Sequence, residues 1–377
     1  MRSFLLIAFS ACTFSLFAQD APVDPDKQAR PPVVVEKIGK VGKRDRYVVF
    51  PVVVKSPEYR WGAGGAGTFF FKIGKDSVAR TSSFKAVTFF TLRKQLVVAT
   101  EGNIYFPNEK YILYVVSSAT HFPDKFWGLG NTTPNSALEN YAISQFNIFP
   151  KLMRRVVSSI YAGVGYEFQH VFQFEYDRSG KSLFDQENIV GRNGGWVSGP
   201  GATVTWDNRN HAFAPSKGFY VQFYVGVYRK AVGSDFDFAV RNLDIRKYVA
   251  LSKDVVLAFQ ANLISTSGDV PIRQLTNIGS NSYMRGYYEG RYTDKNLLAF
   301  QSELRFPVYK RFGMVTFAGL GRVGGALKDV FIPQHLKPSI GAGIRFALSP
   351  QEKLALRVDA GFGNRSNGTY LNMGEAF

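Results

Sequence analysis

An arginine set among small and aromatic residues marks the stretch of this chain with the most specific chemistry. Gly279-Ser-Asn-Ser-Tyr-Met-Arg285-Gly286-Tyr287-Tyr288-Glu-Gly290-Arg291 is rich in Gly, Ser, Asn and Tyr and reads as a long loop. It lies between two alternating segments, 254–265 and 296–306. Loops of that length in a regular chain are functional or disordered. A guanidinium in this setting suits a loop folded inward onto a polar partner. A solvated surface loop is the other reading the composition leaves open. The chemistry would be ionic locking, not bond making.

Catalytic patterns are weak by comparison. Gly62-Ala-Gly64-Gly65-Ala-Gly67 and Gly319-Leu-Gly321-Arg-Val-Gly324 satisfy GxGxxG, but neither opens a helix in a βαβ unit, so nucleotide binding is rejected. Glycines here better suit close backbone packing or barrel curvature. Gly180-Lys181-Ser182 resembles the end of a P-loop, yet position 175 is Glu. His121, His170, His211 and His335 are scattered and lack the spacing of a zinc protease, and no GxSxG elbow occurs. Neither an enzyme, a cofactor nor a metal site is expected.

The elements that would position the arginine are strands. From Arg46 onward the sequence alternates with period two. Ile160, Ala162, Val164, Tyr166 and Phe168 share one face, and so do Phe219, Val221, Phe223, Val225 and Val227. In 354–360, Leu354, Leu356, Val358 and Ala360 share the apolar face while Arg357 and Asp359 take the other. A soluble sandwich and a barrel in lipid give the same periodicity. Composition separates them: 34 Phe and 19 Tyr favour a transmembrane barrel, with apolar residues outward and charge in the lumen.

Sixteen strands are predicted, near 46–55, 60–73, 82–93, 95–105, 110–120, 139–149, 155–171, 197–207, 218–230, 236–250, 254–265, 295–306, 312–323, 338–348, 353–362 and 369–377. An even number returns the C-terminus to the side of the N-terminus. Connections at 107–110, 150–154, 251–253, 307–311 and 349–353 are short, and those at 121–139, 172–196 and 266–294 are long. That asymmetry predicts periplasmic turns and extracellular loops. The expected fold class is all-β, a 16-stranded antiparallel transmembrane β-barrel over 46–377.

Residues 1–18 read as a secretory signal: Arg2, an apolar run to Phe17, then Ala18. Cys12 after Ser10 and Ala11 leaves a lipoprotein site as the weaker alternative. Cleavage after Ala18 would leave a mature chain without cysteine. Residues 19–45 are Pro-rich and charged and read as a short periplasmic tail. The chain carries 46 Lys and Arg against 29 Asp and Glu, and losing Arg2 gives 45 − 29 = +16. The excess suits outer-membrane lipid and lipopolysaccharide. Nucleic acid does not fit an exported chain without a recognised binding motif. The expected location is the bacterial outer membrane.

Several motifs carry a resemblance. Met284-Arg285-Gly286-Tyr287 looks like the (V/I)RG(F/Y) signature in the sixth extracellular loop of the BamA-like assembly barrels, the bacterial surface antigen family. Asp207-Asn-Arg209 followed by Pro215-Ser-Lys-Gly218-Phe219 resembles the family's periplasmic turn. Tyr105-Phe106-Pro107 and Phe122–Gly130 also fit. Leu371-Asn-Met373-Gly374-Glu-Ala-Phe377 resembles the terminal signal strand by which such barrels are themselves recognised for assembly. The likeness spans about 46–377.

The resemblance implies that Arg285, Gly286 and Tyr287 form a loop latch on Glu303. It also implies a second acid on a neighbouring strand, at the position that Gly319 would occupy, so the latch is expected to rest on one carboxylate. Alternation through 371–377 puts Leu371, Met373 and Phe377 on the lipid face, interrupted by Glu375, with Phe377 an interfacial anchor. Family members carry periplasmic POTRA domains, and the tail here is too short for one, as in a stand-alone subgroup. The implied function is insertion or translocation of polypeptide, or of lipid, through a lateral seam between strands 1 and 16, with a periplasmic accessory protein and a polypeptide client as possible partners. The alternative is a passive channel or structural barrel without client handling. Pro51 in strand 1 lacks an N–H and weakens a ladder there, unless it falls at a bulge or a non-bonding position.

Overall fold

The computed structural model describes residues 39–41, 45–74, 82–211, 214–281, 283–349 and 354–377. The signal segment and most of the expected tail lie outside the described residues. The chain forms a closed barrel of sixteen antiparallel strands. They are β1 (Asp45–Ser56), β2 (Arg60–Phe71), β3 (Ser82–Thr91), β4 (Leu96–Tyr105), β5 (Tyr111–Phe126), β6 (Glu139–Val157), β7 (Ile160–Glu175) and β8 (Gly195–Asp207). The second half comprises β9 (Gly218–Tyr228), β10 (Phe238–Ala250), β11 (Val256–Gly268), β12 (Asn296–Tyr309), β13 (Phe312–Gly324), β14 (Lys337–Ser349), β15 (Leu354–Gly363) and β16 (Ser366–Met373). Among the described residues no helix is long and apolar enough to cross a membrane, so any crossing falls to strands.

Alternation decides which side chains enter the lumen. Val164, Phe223, Phe300, Ile344 and Val358 stand exposed on the outer wall. Their chain neighbours Tyr220, Gln222, Gln301, Glu303, Arg357 and Asp359 are buried inside. Apolar side chains outward and polar ones inward suit a wall surrounded by hydrocarbon.

The predicted strands all occur with boundaries moved by several residues, β5 running on to Phe126 and β7 lying at Ile160–Glu175, and three further shifts bear on the site. Strand β6 runs through the expected turn at 150–154 and ends at Val157. Its pairing with β7 passes from Ile148–Phe168 to Lys151–Gly165, skipping Pro150. A residue without an N–H is tolerated where no ladder bond is required of it. Similarly, β12 runs past Pro307 to Tyr309, with a register shift between those two residues. The third shift is at the C-terminus. The ladder ends at Met373, because Gly374 takes φ +79 and turns the chain away.

The barrel closes unevenly. Strands β1 and β2 pair from Arg46–Phe70 through Ser56–Arg60. On its other edge β1 meets β16 at one paired position, Leu371 with Lys55. Residues Gly39–Val41 fold back along Asp45–Tyr47. Since β2 already takes one edge at Arg46 and Tyr47, this short segment occupies the seam edge of β1.

Candidate functional site: a buried arginine latch and an inward-turned tail

The segment between β11 and β12 enters the lumen. It is gathered at its neck by a small hairpin, Thr276–Ile278 with Tyr292–Asp294. Inside lies Arg285, fully buried. Its Nη2 donates to Glu303 of β12 at 2.6 Å, and its Nη1 donates to Asp359 of β15. The guanidinium also lies over the Phe317 ring of β13, 3.5 Å from the centroid. Two carboxylates and a ring from three strands therefore fix one side chain.

The backbone around Arg285 is fitted as closely. Gly286 has φ +113, and a Cβ there would come within 2.7 Å of the Phe362 backbone. Gly361 opposite has the same tightness against Arg285. No other residue type fits this approach without displacement. The Gly286 N–H donates to the Tyr370 hydroxyl at 2.9 Å, and the Tyr287 hydroxyl donates to the Pro338 carbonyl at 2.7 Å. The loop is thus hydrogen-bonded to β14 and β16.

The second acid is a correction to the sequence reading. Gly319 does not stand in for it. Gly319 and Gly321 leave room for the Met284 sulfur, 3.3 and 3.1 Å from where their Cβ atoms would be. Asp359 supplies the carboxylate from β15. The signal was present, since Arg357 and Asp359 alternate inward on a strand whose other face is apolar.

The acids are shared. Glu303 also accepts from Arg305 at 2.8 Å, and Asp359 from Arg345 at 2.6 Å. Arg345 and Arg305 approach Glu375 at 2.9 and 3.8 Å. Arg357 donates to the Asn281 carbonyl of the loop at 2.9 Å. Buried charges are tolerated when paired and hydrogen-bonded in this way.

Phe377 overturns a second expectation. It is not a lipid-facing anchor but is 2% exposed inside the barrel, packed with Ala376, Tyr248 of β10 and Ala258 of β11. Arg305 donates to its carbonyl at 2.8 Å. Extrapolating the strand alternation past Gly374 fails because a left-handed residue ends the period. Leu371 pairs with Val358 and shares its outward face; the Met373 side chain lies outside the described residues. We expect Phe377→Ala to lower the unfolding temperature of the purified barrel, by a loss of about 3 kcal/mol, because it empties a packed site. Assembled barrel in the membrane should fall with it. An unchanged unfolding temperature would show that the tail is not anchored there.

At the other turn motif, Asp207 and Arg209 form a two-pronged pair, with Nε at 2.8 Å and Nη2 at 2.9 Å. Arg209 lies over the Tyr220 ring at 4.6 Å. Pro215 is buried. Gly218 at φ +107 brings its backbone close to Asn208 and Arg209, where a Cβ would sit 2.6 Å from the Asn208 carbonyl. These residues lie on the opposite side of the barrel from the seam and are not part of the latch. Pro51 lies on β1 opposite Gly65 of β2, with its ring outward.

A further cluster went unread in the sequence. At the loop neck, Glu58 accepts from the Glu289 N–H at 2.7 Å, and Tyr288 donates to Asp124 at 2.9 Å. Burial pushes the Glu58 carboxyl up to about 7 and Glu289 well above its usual range. Arg273, Lys125, Tyr59 and Tyr141 face the same cavity or pack against it. A carboxyl with a raised folded pKa stabilises fully below its unfolded value near 4.5, and the contribution is lost as pH rises through about 7. Proteolysis within 269–295 should therefore be faster at about pH 8.5 than at about pH 5.5, on either side of the shifted carboxyl, and Glu58→Gln should flatten that difference. A pH-independent wild-type rate would contradict it.

Comparison with known proteins places this geometry. Residues 88–377 match the Omp85 superfamily domain. BamA from Haemophilus ducreyi lacking POTRA domains 1-3 is structurally similar, with 12% identity and a TM-score of 0.56, over 91% of this chain and 75% of that one. CdiB from Acinetobacter baumannii gives 13% and 0.56, over 89% and 60%, and CdiB from Escherichia coli 9% and 0.58, over 91% and 68%. At these identities the likeness is one of fold. No curated protein matches the chain.

Proposed function

We propose, from the premise that this chain belongs to the Omp85 superfamily, that it admits polypeptide to the outer membrane through a lateral seam between β1 and β16. The observation that carries the reading is the single paired position, Leu371 with Lys55. Every missing ladder bond leaves backbone donors and acceptors facing hydrocarbon, where each costs several kcal/mol. An incoming strand satisfies those groups, so the edge of β1 between the Gly39–Val41 fold-back and Leu371, residues 48–54, is a template for β-augmentation. Gly374 supports this, because by turning the tail inward it withholds a partner from the part of β1 that holds Pro51. The long-loop end would face outward and the ends of the chain the periplasm.

The latch serves this role by keeping the long loop inside the lumen. A lumen holding that loop argues against a passive open channel. Glu303, Asp359 and Arg285 act as fasteners, and no residue is assigned a catalytic part. The test is a disulfide between Lys55→Cys and Leu371→Cys. Locking the seam should stop client insertion while the barrel itself stays assembled.

A further inference from the structure

Three short hairpins reach the long-loop rim beside the seam, and each carries a cation in an unusual backbone state. Arg60 follows the β1–β2 turn with φ 56, Lys94 sits in the β3–β4 turn with φ 61, and Arg365 sits in the β15–β16 turn with φ 53. The left-handed region favours glycine or asparagine, so a long basic side chain at all three tips is a choice against local preference. Three more cations stand close by. Lys55 places its ammonium 5.0 Å from the Trp61 ring centroid, and Arg93 and Lys125 share the Tyr288 ring at 5.8 and 5.7 Å.

These six charges come from both sides of the seam. Leu371 opposite Lys55 sets an antiparallel register in which Trp61 is level with Leu371 and the Arg365 turn stands nearer the rim, beyond the β1–β2 turn. Gly368 of β16 confirms the approach, since a Cβ on it would be 2.7 Å from Pro57 Cγ. Among the described residues none of the six has a carboxylate within ion-pair distance. The acids nearest to them are engaged below, Asp124 by Tyr141, Tyr288 and the Lys125 N–H, and Glu58 by the Glu289 N–H. On the lipid-facing wall of these strands stand Leu92 (74% exposed), Phe90 (57%), Phe362 (56%) and Trp61 (48%).

We propose that this rim is a binding site for a phosphate-bearing lipid of the surrounding leaflet, bridging β1–β3 and β15–β16 across the seam. Cations without an ion-pair partner at a membrane surface attract anionic headgroups, and guanidinium forks match phosphate oxygens in a two-pronged way. Free phosphate would use the cations alone. A lipid also covers the four apolar side chains, and that is why the occupant is a lipid. Bound headgroups would hold the rim end of the seam together and leave the opposite end, where β16 turns inward at Gly374, as the end that parts. The proposal rests on the seam reading for its consequence, not for its binding chemistry.

The experiment uses the full-length barrel in nanodiscs containing a bis-phosphorylated glucosamine glycolipid, its dephosphorylated form, or phosphatidylcholine alone, with retained lipid read by native mass spectrometry. Wild-type protein should retain the phosphorylated form selectively. Arg60→Gln, Lys94→Gln and Arg365→Gln together should lower retention at least about tenfold, with heat-modifiable migration confirming a folded barrel. Substituting the exposed Lys181, Lys230 and Lys328 by Gln should leave retention unchanged. Equal retention of the dephosphorylated lipid, an equal loss in the control triple, or displacement by inorganic phosphate would each overturn the proposal. The lipid readout does not use the seam disulfide, and the reduced Lys55→Cys/Leu371→Cys barrel controls for the loss of Lys55, so failure of one leaves the other standing.

Discussion

Arg285→Ala should release the long loop and make the barrel both protease-sensitive and leaky to ions. The guanidinium is fully buried between Glu303 and Asp359, so its removal takes the central cation from two buried carboxylates. Breaking a buried pair from one side costs about 3–5 kcal/mol. The lower end applies here, because Arg305 and Arg345 still reach the same acids. The Phe317 ring loses its cation as well. Arg285→Lys keeps the charge but not the fork, and should fall between wild type and alanine. Planar-bilayer conductance and limited proteolysis together give the readout. A variant that resists protease like wild type, with closed single-channel baselines, would mean that the loop is held without the Arg285 ion pairs, by its glycine packing and its hydrogen bonds to β14 and β16.

Locking the seam should abolish activity without unfolding the barrel. Lys55 and Leu371 face each other in an antiparallel ladder, where Cα atoms stand about 4.5–5.5 Å apart, within reach of a disulfide. The chain's one cysteine is Cys12, in the expected signal segment, so a mature chain would bring no competing thiol. Oxidised K55C/L371C barrel should fail to insert clients in proteoliposomes, and reduction should restore insertion. The alternatives separate here. If the oxidised barrel inserts clients as well as the reduced one, lateral opening is not the mechanism and the passive-channel reading gains. A matching disulfide across a fully paired junction, such as Val53→Cys with Ala63→Cys between β1 and β2, should have no effect on insertion.

The arginine was legible because Met284-Arg285-Gly286-Tyr287 resembles a family signature; composition by itself left a solvated loop open. Glu303 followed from a motif, but Asp359 did not. A motif places residues relative to their neighbours in sequence, whereas Asp359 reaches Arg285 only because β15 closes beside β14. Glu58 and Glu289 were likewise invisible, since their encounter joins a hairpin near one end of the chain to a loop far along it. Phe377 was misplaced for a local reason: the alternation was carried across a glycine that breaks it.

The amino-acid sequence by itself determined the strand number, the faces and the asymmetry of the connections. Period-two alternation and turn composition are properties of neighbouring residues, and the apolar face records the solvent it meets. Tertiary structure decided which acids meet Arg285, how little of β1 pairs with β16, and that the C-terminus lies in the lumen. Each of these depends on closing the sheet, which sets the separation of residues far apart in the chain and leaves no mark on the period of any single strand.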